Sequence, residues 1–146
     1  MIGGFAVIAH QYIRATEDTD LLVPADEGNV APLRSAFTQL DARVRVTGEP
    51  PSGAELANAA HLRLDTTAGM VDLLREGDPP LDFSAGFDDR LTVELDGVEL
   101  PVAGLALLTT LKRLAGRPQD RVDLEELERI HGPLPGLEPE QPGPLG

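Results

Sequence analysis

The segment TEDTDLLV, residues 16–23, places two acidic side chains one residue apart at the head of an apolar run. Acidic residues are poor strand formers, so Asp18 and Asp20 need a physical reason to stand there. Alternate side chains of a strand share a face, so the two carboxylates would project together, roughly 6–7 Å apart at their Cβ atoms. Two such groups repel each other, and Mg²⁺ binds well to one or two carboxylates together with waters and substrate phosphates. The alternative is an exposed strand start with incidental acids.

The elements that position these acids follow from apolar spacing and turn residues. The spacing predicts helices over residues 5–12, 29–40, 105–115 and 119–131, and strands over residues 19–23 and 42–46. Two hairpins are also predicted. One has residues 66–69 as its loop and sets Arg63 opposite Asp72; the other turns at Asp96-Gly97, with Glu94 facing Glu99 on the wet side. Residues 47–55 are predicted to form a loop, and residues 74–89 are predicted to be irregular.

Composition excludes several classes of protein. The chain has 146 residues, a net charge of −13 and no cysteine, which indicates one domain without disulfides or thiol chemistry. No basic patch is evident, so we expect neither an extended nucleic-acid surface nor an anionic membrane surface as partner. The sequence has no apolar run of the ~20 residues that a membrane span needs and no signal-peptide pattern, and cytoplasmic localisation is the expectation.

The opening segment GGFAVIAHQYIRATEDTDLLV resembles the first motif of the DNA polymerase β nucleotidyltransferase superfamily. That motif is a glycine pair, a short helix and loop, and then Asp-x-Asp on a strand. The similarity continues through GMVDLL and DGVELPVAGLALLTTLKRLAGRPQDRVDLEEL, and it is strongest to the minimal nucleotidyltransferases and the AbiEii-type toxin nucleotidyltransferases.

The resemblance implies an α+β nucleotidyltransferase fold. We expect a mixed sheet of about four to five strands, helices on one face and a C-terminal helical pair. The domain would cover residues 1–131, and the Pro/Gly-rich residues 132–146 would form a disordered tail. Relatives usually carry a helix and an apolar strand before the glycines, whereas only Met1 and Ile2 precede them here. The resemblance therefore implies a truncated chain, either a remnant or one whose start codon was assigned too late.

The resemblance also assigns roles around the acids. Gly3 and Gly4 would hold the triphosphate, because unpaired amides at a glycine turn suit phosphate. Asp18 and Asp20 would hold Mg²⁺, and a third carboxylate commonly comes from a neighbouring strand, for which Asp72 is the candidate. These three acids would be both the catalytic residues and the metal ligands. The alternative for Asp72 is an ion pair with Arg63 worth ~0–1 kcal/mol, and Asp65, on the same face of the hairpin, is a weaker candidate.

Two alternative roles are predicted for each of three further residues, Lys112, Arg14 and Asp120. Lys112, the chain's single lysine, would be a point charge on the triphosphate in AbiEii-type relatives, or it would snorkel from the edge of an apolar stripe. Arg14 would contact phosphate or pair with Glu17. Asp120, like Asp123, falls in a block that recurs in such relatives, although an acid near a helix start also stabilises the helix dipole.

These residues predict a Mg²⁺-dependent nucleotidyltransferase that transfers a nucleoside monophosphate from an NTP to an acceptor. The acceptor would be a protein hydroxyl or an RNA end, and the setting would include toxin–antitoxin systems with a cognate toxin or antitoxin as partner. The alternative is a catalytically inactive protein of this fold that acts through protein–protein contact. A third interpretation is an α+β domain whose acids are accidental. Two departures from the motif, Gln11 in place of a glycine and Thr19 in place of an aliphatic residue, remove no ligand.

Overall fold

The structure, a computed structural model, describes residues 1–77 and 81–135 and has an α+β fold. Its helices are α1 Gly3–Ala9, α2 Val30–Gln39, α3 Gly53–Asn58, α4 Phe83–Asp88, α5 Leu105–Ala115 and α6 Pro118–His131, with a 3-10 turn at Glu27–Asn29 before α2. Its strands are β1 Asp18–Val23, β2 Arg43–Val44, β3 His61–Thr66, β4 Gly69–Arg75, β5 Leu91–Leu95 and β6 Val98–Val102. Within the described ranges, no helix is both long enough and apolar enough to cross a membrane.

The larger sheet has four strands in the order β1-β4-β3-β2 and is mixed, as predicted. β1 runs parallel to β4, and the other neighbours are antiparallel. The predicted register of β3 against β4 is confirmed, with Arg63 opposite Asp72. Thr66 pairs with Gly69, so the turn between these strands is tighter than the predicted four-residue loop. β2 is only two residues long, shorter than the strand predicted over residues 42–46.

The smaller sheet is the hairpin β5–β6, which forms in the predicted register. Asp96 and Gly97 have φ values of +52° and +79°, which is the left-handed backbone that a type I′ turn requires at both central positions. Glu94 lies directly opposite Glu99, as predicted. The Asp-Gly pair therefore fixes the register of this hairpin locally.

Two apolar clusters lie on opposite sides of the larger sheet. The first contains Leu22 of β1 and side chains of α1, α5 and α6, whereas the second contains Val23 and Leu73 with side chains of α2 and α3. Neighbouring residues of a strand face opposite sides, so the consecutive apolar residues of β1 supply both clusters. The prediction of helices on one face is wrong in this respect, because helices pack against both sides of the parallel pair β1–β4.

Two short helices stand where the sequence predicts loop or irregular chain. α3 begins at a capping box in which the Ser52 hydroxyl accepts from the Glu55 amide and the Glu55 carboxylate accepts from the Ser52 amide. α4 begins at Asp82, whose carboxylate accepts from the amide of Ala85. The predicted disordered tail falls mostly outside the described residues, which end at residue 135.

The first two residues connect the two sheets. The amide of Ile2 donates to the carbonyl of Asp20 over 2.9 Å. On the other side, the Met1 ammonium donates to the Pro101 carbonyl and the Ala103 amide donates to the Met1 carbonyl, both over 2.8 Å. Met1 and Ile2 thus form a short extended bridge between β1 and the end of β6.

Candidate functional site

Three carboxylates share one face of the β1–β4 pair. Asp18 and Asp20 are alternate residues of β1, and Asp20 lies directly opposite Asp72 of β4. Burial, followed by the negative charges of Asp72 and Asp18, raises the pKa of Asp20 above its ordinary value, while the positive charges of Arg117 and Lys112 lower it. The predicted placement of Asp18 and Asp20 on one strand face therefore adds to the factors that oppose ionisation of Asp20.

The donor chemistry of this face fits a hard cation only in part. Oδ1 of Asp18 is buried and has no hydrogen-bond partner among the residues that the structure describes, which leaves an oxygen in need of a positive partner. Across residues 1–77 and 81–135, no three or more His, Asp or Glu side chains are arranged as a ready metal site. Mg²⁺ does not require such a cage, because one or two carboxylates suffice when substrate phosphates supply further oxygens.

The two glycines lie against these residues. Gly3 has a φ of +67°, and a Cβ atom there would collide with the Asp20 carboxylate. A Cβ atom on Gly4 would collide with the Thr16 side chain and would lie 3.3 Å from Nη1 of Arg14. Glycine is required at both positions by the close approach of the following segment, and this approach brings the start of α1 to the carboxylates.

Lys112 occupies a buried ion cluster with two acids of α6. Lys112 is only 4% exposed, and its Nζ atom lies 2.9 Å from Oδ1 of Asp120 and 2.7 Å from Oδ2 of Asp123. The snorkelling alternative is therefore wrong. Burial raises the pKa of each acid, but hydrogen bonds from cationic neighbours outweigh it and hold both pKa values below the ordinary one. Both acids are thus ionised partners of the lysine at neutral pH.

Arg14 is also committed to this cluster. Its Nε and Nη2 atoms donate to the two carboxylate oxygens of Asp123 over 2.7 and 2.8 Å, and Nη1 donates to the Ala15 carbonyl. The alternative of a pair with Glu17 is wrong. A bidentate guanidinium–carboxylate contact is geometrically specific, and here it fastens the loop between α1 and β1 to α6.

Arg117 is a site residue that the sequence reasoning missed. Its Nε atom lies 2.7 Å from Oδ2 of Asp120, and its backbone amide donates to the same oxygen over 3.1 Å. Its side chain is 72% exposed, and its positive charge lowers the pKa of Asp20. The motif R-P-Q-D was a readable signal, because proline at the first helical position and an acid at the third mark a helix start. Asp120 therefore caps α6 as well as pairing with Lys112.

Asp72 has two basic neighbours, Arg63 and His61, at long contact distances. Nε of Arg63 lies 3.6 Å from Oδ1 of Asp72, and Nε2 of His61 lies 3.7 Å from the same atom. Both distances are longer than a hydrogen bond, so neither neighbour is hydrogen-bonded to the Asp72 carboxylate. Asp65, the weaker candidate, is instead paired with Arg45 over 2.9 Å on an exposed part of the sheet.

Comparison with known proteins adds no family to this geometry: no model of a known protein family matches the chain, and no curated protein matches it significantly.

Proposed function

We propose that this chain is a Mg²⁺-dependent nucleotidyltransferase that uses an NTP to modify a protein or RNA acceptor. The observation that carries the proposal is that Asp18, Asp20 and Asp72 share one face of the β1–β4 pair, with Gly3 at the start of α1 packed against Asp20. Burial, and after it the negative charges of Asp72 and Asp18, raises the pKa of Asp20. An arrangement that is unfavourable in the free protein is expected where a cation is to be bound.

Each part of the site has a role in this proposal. Asp18 and Asp20 would bind Mg²⁺, which would neutralise the triphosphate and align an in-line displacement at the α-phosphorus. The acceptor oxygen would form a bond to that phosphorus as the bond to the pyrophosphate oxygen breaks. Asp72, opposite Asp20 in the register, would receive the acceptor proton. The amides of Gly3 and Gly4, in the first turn of α1, would bind phosphate oxygens.

Two cations beside the carboxylates would bind the triphosphate. Lys112 and Arg117 both lower the pKa of Asp20, so their positive charges act on the carboxylate that would hold the Mg²⁺. Arg117 is the more accessible of the two, since its side chain is largely exposed. Arg14 is bound to Asp123 through two hydrogen bonds. We therefore assign it a positioning role, in place of the predicted contact with phosphate.

A catalytically inactive partner protein is the second candidate. The observation that favours it is the state of Lys112, whose Nζ atom is held by both Asp120 and Asp123. A triphosphate would have to draw the lysine away from one acid or bind it alongside both. In this alternative, the cluster is a structural connection between α5 and α6 and the protein acts through contact with another protein, such as a cognate toxin or antitoxin.

Labelling with radioactive NTPs distinguishes the two candidates. The purified protein would be incubated with Mg²⁺, each α-labelled NTP in turn and a cell lysate as a source of cytoplasmic acceptors. We expect label on a macromolecule, abolished by Asp18→Ala and by Asp20→Ala. Asp65→Ala is the matched control, because Asp65 lies on the same sheet but pairs with Arg45, and it should leave labelling intact. No labelling by the wild-type protein with any NTP would favour the inactive partner.

A further inference from the structure

The β5–β6 hairpin carries an open edge, an exposed apolar face and an unbalanced charge, and none of these features serves the carboxylate site. Leu95 and Val98, opposite each other next to the turn, are 61% and 58% exposed, and Leu91 on the same face is also exposed. Val102, farther along this face, is buried in the first apolar cluster. The apolar face of the hairpin thus continues from the core into solvent.

The outer edge of β5 has backbone groups available for pairing. In an antiparallel pair closed by a two-residue turn, Leu95 and Val98 bond to each other, and every second residue pair does the same. Thr92 and Glu94 therefore direct their N–H and C=O groups away from β6. Pro101, opposite Thr92, agrees with this pattern, because its carbonyl accepts from Met1 on the other side. No hydrogen bond within the described residues covers this edge of β5.

The charge around this edge specifies what could cover it. Residues 81–104 contain six acidic residues and a single basic one, Arg90, which lies over the ring of Phe87. Glu94 and Glu99 face each other across the hairpin, and neither forms an ion pair within the described part of the chain. Like charges opposite each other are unfavourable, so a cation bound beside this pair would relieve the repulsion and lower the free energy.

We propose that the outer edge of β5 binds an extended, basic segment of a partner protein by strand addition. The backbone of that segment would pair with Thr92 and Glu94. Its aliphatic side chains would lie beside the exposed face formed by Leu91 and Leu95, and the alternate Lys or Arg side chains would lie beside Glu94 and Glu99. Main-chain bonds supply affinity and alternate side chains supply specificity in this mode of recognition. A second copy of this chain is a poor partner, because it would bring another acidic hairpin.

Two capped eight-residue peptides test the proposal with the full-length protein. One alternates valine with lysine, and the matched peptide alternates valine with glutamate. We expect fluorescence anisotropy to show binding of the lysine peptide only, weaker as salt screens the charges. Amide hydrogen exchange should slow at Thr92 and Glu94, whereas Val93, already bonded to β6, should not change. Equal binding of both peptides, binding of neither, or protection at another edge such as β2 would overturn the proposal.

Two variants separate the edge from the charges. Glu94→Lys with Glu99→Lys should weaken binding of the lysine peptide at least about tenfold and permit binding of the glutamate peptide. Glu125→Lys with Glu128→Lys, on exposed positions of α6, makes the same change in net charge and should leave affinity within about twofold. Thr92→Pro removes an amide of the outer edge that makes no hydrogen bond to β6. In this variant, addition of the lysine peptide should no longer slow amide exchange at Glu94. Unchanged binding in the hairpin double variant would overturn the proposal even if Thr92→Pro fails to fold.

Discussion

Asp20 is held in an environment that opposes its charge. It is partly buried, it lies opposite Asp72 and it shares a strand face with Asp18, and each of these factors raises its pKa. A carboxylate whose folded-state pKa is raised makes the fold less stable as the pH rises above its unfolded-state value, because ionisation is then costlier in the folded protein. The proposed site thus lowers the stability of the free protein at neutral pH.

Replacing Asp20 should therefore stabilise the protein. We expect Asp20→Asn to raise the free energy of unfolding at pH 7 by about 0.5 kcal/mol, the order of an opposed like-charge pair, and to abolish the proposed nucleotidyl transfer. Asp65→Asn is the control, because it breaks an exposed ion pair with Arg45 and should leave stability unchanged or slightly lower. Urea denaturation measures both. A loss of stability in Asp20→Asn would contradict the view that this carboxylate is held against repulsion.

Lys112 has the opposite character, since its buried charge is fully compensated. Removing one partner of a buried ion pair leaves an uncompensated charge and typically costs about 3–5 kcal/mol. We expect Lys112→Met to lose about 3 kcal/mol, the low end, because Asp123 keeps Arg14 and Asp120 keeps Arg117. Arg129→Met, on the exposed face of α6, is the matched control and should cost less than about 1 kcal/mol. Equal losses in the two variants would show that the cluster adds nothing beyond an exposed pair.

At the scale of elements, the ion cluster fastens α6 to two other parts of the chain. Asp123 receives Lys112 from α5 and Arg14 from the loop before β1. Gln119, one turn earlier on α6, donates to the same carboxylate over 2.9 Å. The ionised Asp123 carboxylate therefore joins α5, α6 and the loop before β1 through charged hydrogen bonds.

This arrangement makes the docking of α6 sensitive to acid. The folded-state pKa values of Asp120 and Asp123 lie below the ordinary 3.8. Their stabilising contribution is therefore complete above the unfolded-state pKa and is lost as the pH falls through the lower folded-state values. We expect the stability difference between wild type and Asp123→Asn to be constant near neutral pH and to shrink below about pH 3.8. Urea midpoints measured from pH 7 to pH 3 check this, and a difference that does not vary with pH would contradict it.

Elements with strong local signals were predictable from the sequence. Asp-Gly fixed the β5–β6 hairpin, because both turn residues need a left-handed backbone, and Gly116 ended α5 with a φ of +60°, as predicted. α3 and α4 were missed because a six-residue helix has too few apolar positions to show a period. Their caps, Ser52 with Glu55 and Asp82, were the only signals available.

At the scale of the whole molecule, the first apolar cluster and both sheets are in contact with the first residues of the chain. Ile2 lies in the first cluster, 6% exposed, and its backbone pairs with Asp20, while Met1 pairs with residues 101–103. The same short segment thus supports the carboxylate strand and the acidic hairpin. A loss of packing at these residues should therefore destabilise both β1 and the β5–β6 hairpin.

We expect Ile2→Ala to cost about 2–4 kcal/mol, because it opens a cavity in the first cluster. Ile13→Ala makes the same chemical change at a side chain that is 84% exposed and should cost less than about 0.5 kcal/mol. Thermal denaturation of the two variants measures the difference. Comparable melting temperatures would mean that the first residues do not hold the two sheets together.

The sequence alone determined the features that depend on neighbouring residues. The alternation of Asp18 and Asp20, the β3–β4 register that sets Arg63 against Asp72, and the helices over residues 105–115 and 119–131 all follow from local spacing and turn chemistry. Each of these involves residues whose relation is fixed by the geometry of one strand, one helix or one tight turn.

Only the tertiary structure decided which charged residues, distant in the sequence, lie next to each other. Sequence patterns could not pair Arg14 with Asp123, bury Lys112 between two acids or bring Arg117 toward Asp20. These contacts depend on how α6 packs against α5 and the loop before β1, and an arginine or lysine side chain carries no local signal of which carboxylate it will meet. The same packing decides which cations remain accessible beside the carboxylate face, and therefore what that face can bind.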